Sequence, residues 1–352
     1  MKKRSNKPMA IILALIISII GWAVKAEALE PRLLWEKTMP FEIGSIEMAA
    51  QSGNVIISSR KARQIILYDR NGNKRFHLGP RIDRQPMGIG ISDDGNTIVY
   101  TTSWTEEYTE KKKIDIDKLG WDTRVHYSTR RGKELWNKKI EGSASLSPVG
   151  SLVAVVGEHG MGGVPLTVLD SKGNVLWKYP SRFRLGLRFS PDGSHILFYD
   201  GDLHLFDKSG NLLWKKTDAL EADSVSEGAT YITTRDKKVY DKQGNVILEG
   251  DARVSGNGKK LIVLYANKMN VLSLPDKNVM KEYPFRGGFL SYDGNFLVAR
   301  TVSGNLLIID TLNQVSSEIY IEGKYRLRGS TNDGKYLVVA IEDKKLLFYQ
   351  VY

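Results

Sequence analysis

Short segments of alternating apolar and polar residues recur along the chain and end in one turn motif. Residues 67–73 read LYDRNGN, and similar segments begin at Val168, Leu205 and Val239. In the shared ending Asp-x-x-Gly-Asn, Asp can bond the backbone ahead of it and Gly tolerates a positive φ, which is hairpin chemistry. The repeated aspartates are Asp69, Asp170, Asp207 and Asp241. The pattern predicts a strand, a tight turn and a second strand in each copy.

A second kind of turn alternates with the first. The clearest copies are Ser-Asp-Asp-Gly at 92–95, Ser-Pro-Asp-Gly at 190–193 and Ser-Tyr-Asp-Gly at 291–294, each followed by a strongly β-prone run. Weaker copies complete a series of glycines about 40 residues apart, the length of a propeller blade. The series is Gly53, Gly95, Gly150, Gly193, Gly228, Gly258, Gly294 and Gly334.

Two turns per unit imply four short antiparallel strands, A to D, in each repeat. The sequence therefore predicts an all-β fold, a single β-propeller of about eight four-stranded blades. A count of seven stays open, because the unit around Gly228 is short. The last unit ends after strand C, whereas residues 33–37 (LLWEK) resemble residues 212–216 (LLWKK) and lack a unit of their own. We expect this N-terminal strand to pair with the C-terminal blade and close the ring, which removes an exposed sheet edge.

The first 28 residues have the organisation of a secretory signal peptide. Lys2, Lys3 and Arg4 precede an uncharged apolar run at 9–24, and Ala26-Glu27-Ala28 supplies small residues for cleavage. We predict a signal peptide at 1–28, a propeller domain at 29–352 and an extracytoplasmic protein, periplasmic or secreted. An uncleaved N-terminal membrane anchor is the alternative.

The amino-acid composition excludes several kinds of functional site. The 352 residues include no Cys, which excludes disulfides, thiolate metal sites and a Cys nucleophile. The net charge is +11, of which residues 1–28 carry +4. Such a moderate positive charge on an exported protein does not predict nucleic-acid binding.

The motif Asp-x-x-Gly-Asn-x-Leu-Trp resembles the repeat of the PQQ-like (quinoprotein) propellers, within a wider likeness to WD40-like repeats. The resemblance implies a propeller in which the repeated Trp packs between neighbouring blades. The matching tryptophans are Trp35, Trp136, Trp177 and Trp214. The Ser-Pro-Asp-Gly turn also resembles TolB-like propellers. No calcium ligand, vicinal disulfide or other part of the quinoprotein enzyme site can be matched, so the resemblance implies a scaffold without that activity.

Metal and catalytic motifs are missing from the sequence. The Asp-x-x-Gly-Asn turns lack the Glu that completes an EF-hand loop. The five histidines have no metal-ligand spacing, although a fold could bring His126 and His204 into a shared site, and no Gly-x-Ser-x-Gly elbow occurs. We predict no catalytic residue, metal or cofactor.

Loops are the better place for function. The B–C and D–A connections of a propeller share one face, and the B–C connections at 103–123 and 158–164 are enlarged. The first carries aromatic residues among charged ones, which suits a protein or polymer surface. The D–A connections are rich in Arg, which binds carboxylates and phosphates. The candidate binding residues are Trp104, Tyr108, Trp121, Arg84, Arg182, Arg184, Arg286 and Arg326. A tolerated insertion and scattered surface charge are the alternatives.

The sequence thus predicts an exported, monomeric, non-enzymatic binding or scaffold propeller. Its partner would be a protein or a cell-envelope polymer, recognised through the face that bears the D–A and B–C loops. The alternative is an enzyme acting at the channel mouth, either a degenerate quinoprotein or another propeller enzyme.

Overall fold

A computed structural model describes residues 29–80, 83–113, 122–157, 165–181, 186–265, 268–285, 287–301 and 303–352. The described residues form eight separate four-stranded antiparallel sheets, which confirms the all-β propeller and the count of eight blades. Blade 1 is β2–β5, and each later blade takes the next four strands. Blade 8 is β30–β32 completed by β1. The described ranges contain no helix long and apolar enough to cross a bilayer.

The four strands of each blade follow the order A, B, C, D from the ring centre outwards. The A strands are β2 (Ser45–Met48), β6 (Arg84–Ile91), β10 (Ser143–Leu146), β14 (Gly186–Phe189), β18 (Ala222–Val225), β22 (Asp251–Val254), β26 (Gly288–Leu290) and β30 (Tyr325–Ser330). The B strands are β3 (Val55–Ser59), β7 (Thr97–Trp104), β11 (Leu152–Val156), β15 (His195–Tyr199), β19 (Tyr231–Thr234), β23 (Lys260–Leu264), β27 (Phe296–Arg300) and β31 (Tyr336–Ile341).

The C strands are β4 (Gln64–Tyr68), β8 (Arg124–Thr129), β12 (Leu166–Asp170), β16 (Leu203–Asp207), β20 (Lys238–Asp241), β24 (Met269–Ser273), β28 (Leu306–Asp310) and β32 (Lys345–Gln350). The D strands are β1 (Arg32–Thr38), β5 (Lys74–Leu78), β9 (Glu134–Lys139), β13 (Val175–Tyr179), β17 (Leu212–Lys216), β21 (Val246–Glu249), β25 (Val279–Tyr283) and β29 (Ser316–Ile319). Helix α1 (Glu106–Lys112) and a 3₁₀ turn (Glu227–Ala229) are the helical elements of the described residues.

The ring is closed by the N-terminal strand. Strand β1 pairs antiparallel with β32, from Arg32 opposite Gln350 to Thr38 opposite Lys345. The predicted closure is therefore confirmed. The pairing places the first and last described strands in one sheet.

The hydrophobic core lies between neighbouring blades. Strand β3 is buried along its whole length, because both of its faces pack against other blades. Strand β17, at the rim, instead alternates between exposed and half-buried residues. One interblade cluster joins Val99 and Tyr127 of blade 2 to Val153 and Val155 of blade 3. The burial pattern of each strand thus follows from how many neighbouring strands and blades cover it.

The repeated tryptophans lie at these blade interfaces. The Trp177 indole N–H, in the D strand of blade 3, donates a 3.1 Å hydrogen bond to the Lys208 carbonyl in the C–D turn of blade 4. The ring packs over Gly210 of that turn, where a Cβ would lie 2.6 Å from Trp177 Cγ. Trp136 and Trp214 make the same contact with Ser171 and Lys242.

The two ends of the blades form two faces of the ring. Backbone hydrogen bonds join B–C connections to D–A connections, such as Thr105 N–H to Asp83 C=O (3.0 Å) and Glu342 N–H to Lys324 C=O (3.0 Å). These connections therefore share one face, here named the loop face. The A–B and C–D turns lie at the opposite ends of the strands, and their side is named the turn face.

Candidate functional site

The enlarged B–C connection of blade 2 begins with a short capped helix, which the strand pattern did not predict. Thr105, just after β7, accepts a hydrogen bond from the Tyr108 N–H (3.2 Å) and so caps α1. Lys113 ends the helix in the left-handed conformation. Thr105 and Thr109 are buried against the blade. The helix is therefore attached along one side.

The insertion returns to the blade through a buried ion pair. Arg84 binds both the Asp122 carboxylate and the Asp122 carbonyl, and Arg84 Nη1 lies 2.9 Å from the latter. Their side chains are only 11% and 8% exposed. Arg124 and Lys139 lie within 4 Å of the same carboxylate. Three cations around one buried carboxylate hold the end of the insertion in place, since breaking such a pair leaves a buried charge.

Arg84, one of the predicted binding residues, has its partner within the protein. Its guanidinium binds Asp122 and is largely buried, so the structure places it beneath the insertion as a structural support. Sequence reasoning assigned it to ligand binding because a D–A connection is normally open to solvent.

Trp104 and Tyr108 lie together on the loop face. Their ring centroids are 6.3 Å apart with a 49° angle between the planes, and both side chains are partly exposed. Lys111, Lys112 and Lys113 are exposed at the end of the helix beside them. Glu110, also exposed, directly precedes the lysines, so this end of the helix carries both signs of charge. The structure thus combines two aromatic rings with three lysines. This group of five residues is named the insertion patch.

The other predicted binding residues are not brought together in the described part of the chain. Arg326 is exposed on β30 of blade 8. Trp121, Arg182, Arg184, Arg286 and the second enlarged loop, 158–164, lie outside the described residues.

The two histidines that could have shared a metal site lie in different blades. His126 Nδ1 is 2.7 Å from Glu134 Oε2, and burial lowers the pKa of His126 although Glu134 opposes the shift. His204 Nε2 is 2.9 Å from Asp200 Oδ1, and its Nδ1 is 3.4 Å from the Tyr179 hydroxyl. Each ring is held by its own neighbours.

Asp200, Asp202 and His204 form a cluster of metal-ligand types that sequence reasoning missed. Lys215 Nζ lies 2.6 Å from Asp202 Oδ2, which places an ammonium where a cation would bind. Both ring nitrogens of His204 also have partners. The cluster is therefore a hydrogen-bonded network that stabilises the B–C turn of blade 4. The spacing Asp-x-Asp-x-His was the available signal.

The centre of the ring holds residues with no local sequence signal. Glu47, on β2, is reached by solvent in the channel. Desolvation by the surrounding strands nevertheless raises its pKa to about 7, and Arg188 and Arg328 oppose the shift. A cavity of about 450 Å³ lies beside it, lined by A-strand residues of blades 1 to 5. The cavity could be found only after the A strands were placed around one axis.

The chain is a β-propeller by its sheets, its closure and its interblade core. No protein-family model matches it, and neither does any curated protein. Among solved structures it is similar to the C-terminal WD40 domain of Sif2, with a TM-score of 0.62 and 12% identity over 92% of this chain and 98% of that one. It is also similar to BamB from Moraxella catarrhalis, with a TM-score of 0.58 and 16% identity over 91% of this chain and 98% of that one. The resemblance to PQQ-like and WD40-like propellers is confirmed at the level of the fold.

Proposed function

We propose that the protein is an extracytoplasmic, non-enzymatic binding propeller that captures a protein partner through the insertion patch. The observation that carries the proposal is the anchoring of the insertion. Thr105 fixes its start through Asp83, and Asp122 fixes its end through Arg84. A segment that merely tolerates extra length does not need attachments at both ends.

The chemistry of the patch indicates the kind of partner. Partly exposed Trp and Tyr side chains supply apolar area with few rotatable bonds, and such residues dominate the binding energy of protein interfaces. The three adjacent lysines favour a partner surface that carries carboxylates. An anionic envelope polymer would satisfy the lysines, but it offers less apolar surface to the two rings.

Site-specific crosslinking tests the proposal. A photoreactive phenylalanine analogue replaces Tyr108 in one version of the protein and Leu312 in another, and both are expressed in the cells that make the protein. Leu312 is 63% exposed and lies in a C–D turn on the turn face, so it is the matched control. We expect a discrete protein adduct at position 108 and none at position 312. Polymer adducts alone, or equal adducts at both positions, would contradict the proposal.

A deletion gives an independent test of the same surface. Residues 106–120 are replaced by a short Gly/Ser linker, while Thr105 and Asp122 are kept so that both anchors survive. We expect unchanged circular dichroism and thermal midpoint but loss of the adduct partner from pull-downs. Undiminished capture by a folded deletion variant would remove the insertion from the binding site.

The proposal also includes export of the protein and a monomeric state, and each of these is tested by a separate measurement. The mature protein should begin near residue 29 by mass spectrometry and elute as one copy in size-exclusion chromatography with light scattering. An intact N-terminus in the membrane fraction would favour the anchored alternative.

A further inference from the structure

The eight A strands present equivalent residues to the central channel. In every blade, the first residue of the A–B turn donates its N–H to the carbonyl five residues later, as Ala49 does to Asn54, Ser92 to Thr97 and Ser190 to His195. This hydrogen bond marks an equivalent position in the A strand of every blade. The residues two positions before the turn therefore lie at one level around the channel.

At this level, blades 1 to 4 contribute Glu47, Gly90, Ser145 and Arg188. The two charged residues are separated by two blades whose residues are small. Glu47 and Arg188 both line the cavity of about 450 Å³. A Cβ at Gly90 would lie 3.1 Å from Val99 and 3.2 Å from Leu146, so this glycine permits close packing of blades 2 and 3.

Most other channel charges are paired within the protein. Arg253 Nε lies 3.0 Å from Asp223 Oδ2, and Arg328 Nη2 lies 3.0 Å from Asp343 Oδ1. Arg188 uses Nε to donate to the Ala222 carbonyl (2.7 Å). Its two terminal nitrogens have no hydrogen-bond partner among the residues that the structure describes.

Glu47 is the counterpart of Arg188 on the other side of the cavity. It makes no hydrogen bond or ion pair within the described ranges, although the charges of Arg188 and Arg328 act on it. A guanidinium and a carboxylate thus face one cavity without contacting each other. The surface between them is mainly polar and includes Ser145, Asp223 and Ser224. The apolar A-strand side chains beside it, such as Ile89 and Leu146, are buried in the interblade core.

We infer that the channel binds a small zwitterion, an α-amino acid or a short peptide. The ligand carboxylate would accept hydrogen bonds from the free end of Arg188, since a guanidinium suits a carboxylate. The ligand ammonium would bind Glu47. A simple anion fits less well, because an ionised Glu47 repels it.

Proton release gives this binding mode a signature. The crowded channel keeps the pKa of Glu47 near 7, so part of the population is protonated at neutral pH. An ammonium beside Glu47 favours the ionised form and expels that proton. The binding enthalpy should therefore depend on the ionisation enthalpy of the buffer.

Isothermal titration calorimetry of the purified protein with three related probes tests the inference. The probes are Leu-Leu, N-acetyl-Leu-Leu, which lacks the ammonium, and Leu-Leu amide, which lacks the carboxylate. We expect saturable binding of Leu-Leu and at least about tenfold weaker binding of each analogue, the loss typical of a charge-assisted hydrogen bond. This comparison needs no variant and so does not depend on a mutant folding.

Four variants place the binding in the channel. Glu47→Gln and Arg188→Gln should each weaken Leu-Leu binding at least about tenfold. Glu249→Gln and Arg131→Gln, exposed and outside the channel cavity, are the matched controls and should leave it unchanged.

Three results would overturn the inference. They are no saturable binding of Leu-Leu at millimolar concentration, equal binding of N-acetyl-Leu-Leu, which indicates an anion site, and unchanged Leu-Leu binding in both channel variants. The insertion patch is on another part of the molecule, so these results leave the crosslinking test unaffected.

Discussion

The indole N–H of Trp35 donates a 3.0 Å hydrogen bond to the carbonyl of Arg70. Trp35 belongs to β1, which completes blade 8, whereas Arg70 lies in the C–D turn of blade 1. The residue that closes the last sheet therefore also fastens that sheet to the first one. Trp35 also stacks on Phe348 of β32, with ring centroids 4.9 Å apart. Closure thus combines strand pairing with the interblade contact used elsewhere in the ring.

The glycine of the C–D turn should be sensitive to substitution because the Trp of the preceding blade packs on it. Gly210 has φ +91°, and an added Cβ would contact Trp177. Gly201 has φ +103°, but an added Cβ there would have nothing within 4 Å, so it isolates the backbone cost. We expect Gly201→Ala to cost about 1 kcal/mol in the free energy of unfolding and Gly210→Ala about 1–3 kcal/mol more. Urea unfolding followed by fluorescence measures both.

A double variant assigns the extra cost to its cause. Trp177→Ala removes the ring, so adding Gly210→Ala to it should cost no more than Gly201→Ala does alone. An undiminished cost in the Trp177→Ala background would show that the clash is not the reason for the glycine.

The turn aspartates should make the fold sensitive to acid. Asp170 Oδ1 accepts hydrogen bonds from the Lys172 and Asn174 N–H groups, both 2.8 Å long. Partial desolvation opposes ionisation, but the bonds from Asn174 outweigh it and lower the pKa of Asp170 below 3.8. A lowered pKa stabilises the fold above about pH 4 and loses this contribution as pH falls through the folded-state value. The thermal midpoint of wild type should exceed that of Asp170→Asn at pH 7, and the gap should shrink near pH 3. A gap that does not change with pH would contradict this assignment.

Glu47 should produce the opposite trend at higher pH. Its folded pKa is about 7 against an ordinary value of 4.5. A raised carboxyl pKa contributes stability below the ordinary value and loses it as pH rises through the folded value. The thermal midpoint of wild type should therefore fall relative to that of Glu47→Gln between about pH 5 and pH 8.

The groups around Glu47 allow the source of this trend to be checked. Strand β2 packs against β3, β6 and β30, which carry Arg84, Arg326 and Arg328, and Arg188 faces it from β14. A wild-type midpoint that rises relative to Glu47→Gln over the same interval would show that Glu47 is stabilised as a carboxylate.

The scaffold could be predicted because its chemistry repeats at fixed positions. The Trp of the D strand and the C–D turn on which it packs recur in several blades. The repeat could therefore be recognised without relying on any one copy. The same interface tolerates change: Phe76 of blade 1 occupies the place of Trp over Gly132 of blade 2, where a Cβ would lie 2.4 Å from the ring. That substitution hid one copy of the repeat from motif matching but not from the fold.

The sites were harder to predict because they depend on differences between blades. Arg84 was predicted to bind a ligand, but its partner Asp122 is 38 residues away along the chain, across the insertion. Glu47 and Arg188 belong to no motif, and their significance appears only when the fold places both beside one cavity in the channel. Local sequence motifs reveal the repeat, whereas a functional site depends on the residues that differ from one blade to the next.

Ring closure by β1 is the central claim, and an engineered disulfide tests it most directly. Thr38 lies opposite Lys345 in the β1–β32 pair, and opposed residues of antiparallel strands have Cα separations that a disulfide can span. The chain has no Cys of its own, so the Thr38→Cys/Lys345→Cys protein holds one pair of thiols. Lys238 begins the C strand of blade 5 as Lys345 begins that of blade 8, so Thr38→Cys/Lys238→Cys is the matched control.

Mass spectrometry and non-reducing electrophoresis after mild oxidation give the readout. The closed ring predicts a monomeric crosslink in the Thr38/Lys345 pair, stabilisation of about 2–4 kcal/mol and no intramolecular crosslink in the control. Free thiols or only intermolecular dimers in the Thr38/Lys345 pair would contradict the closed ring.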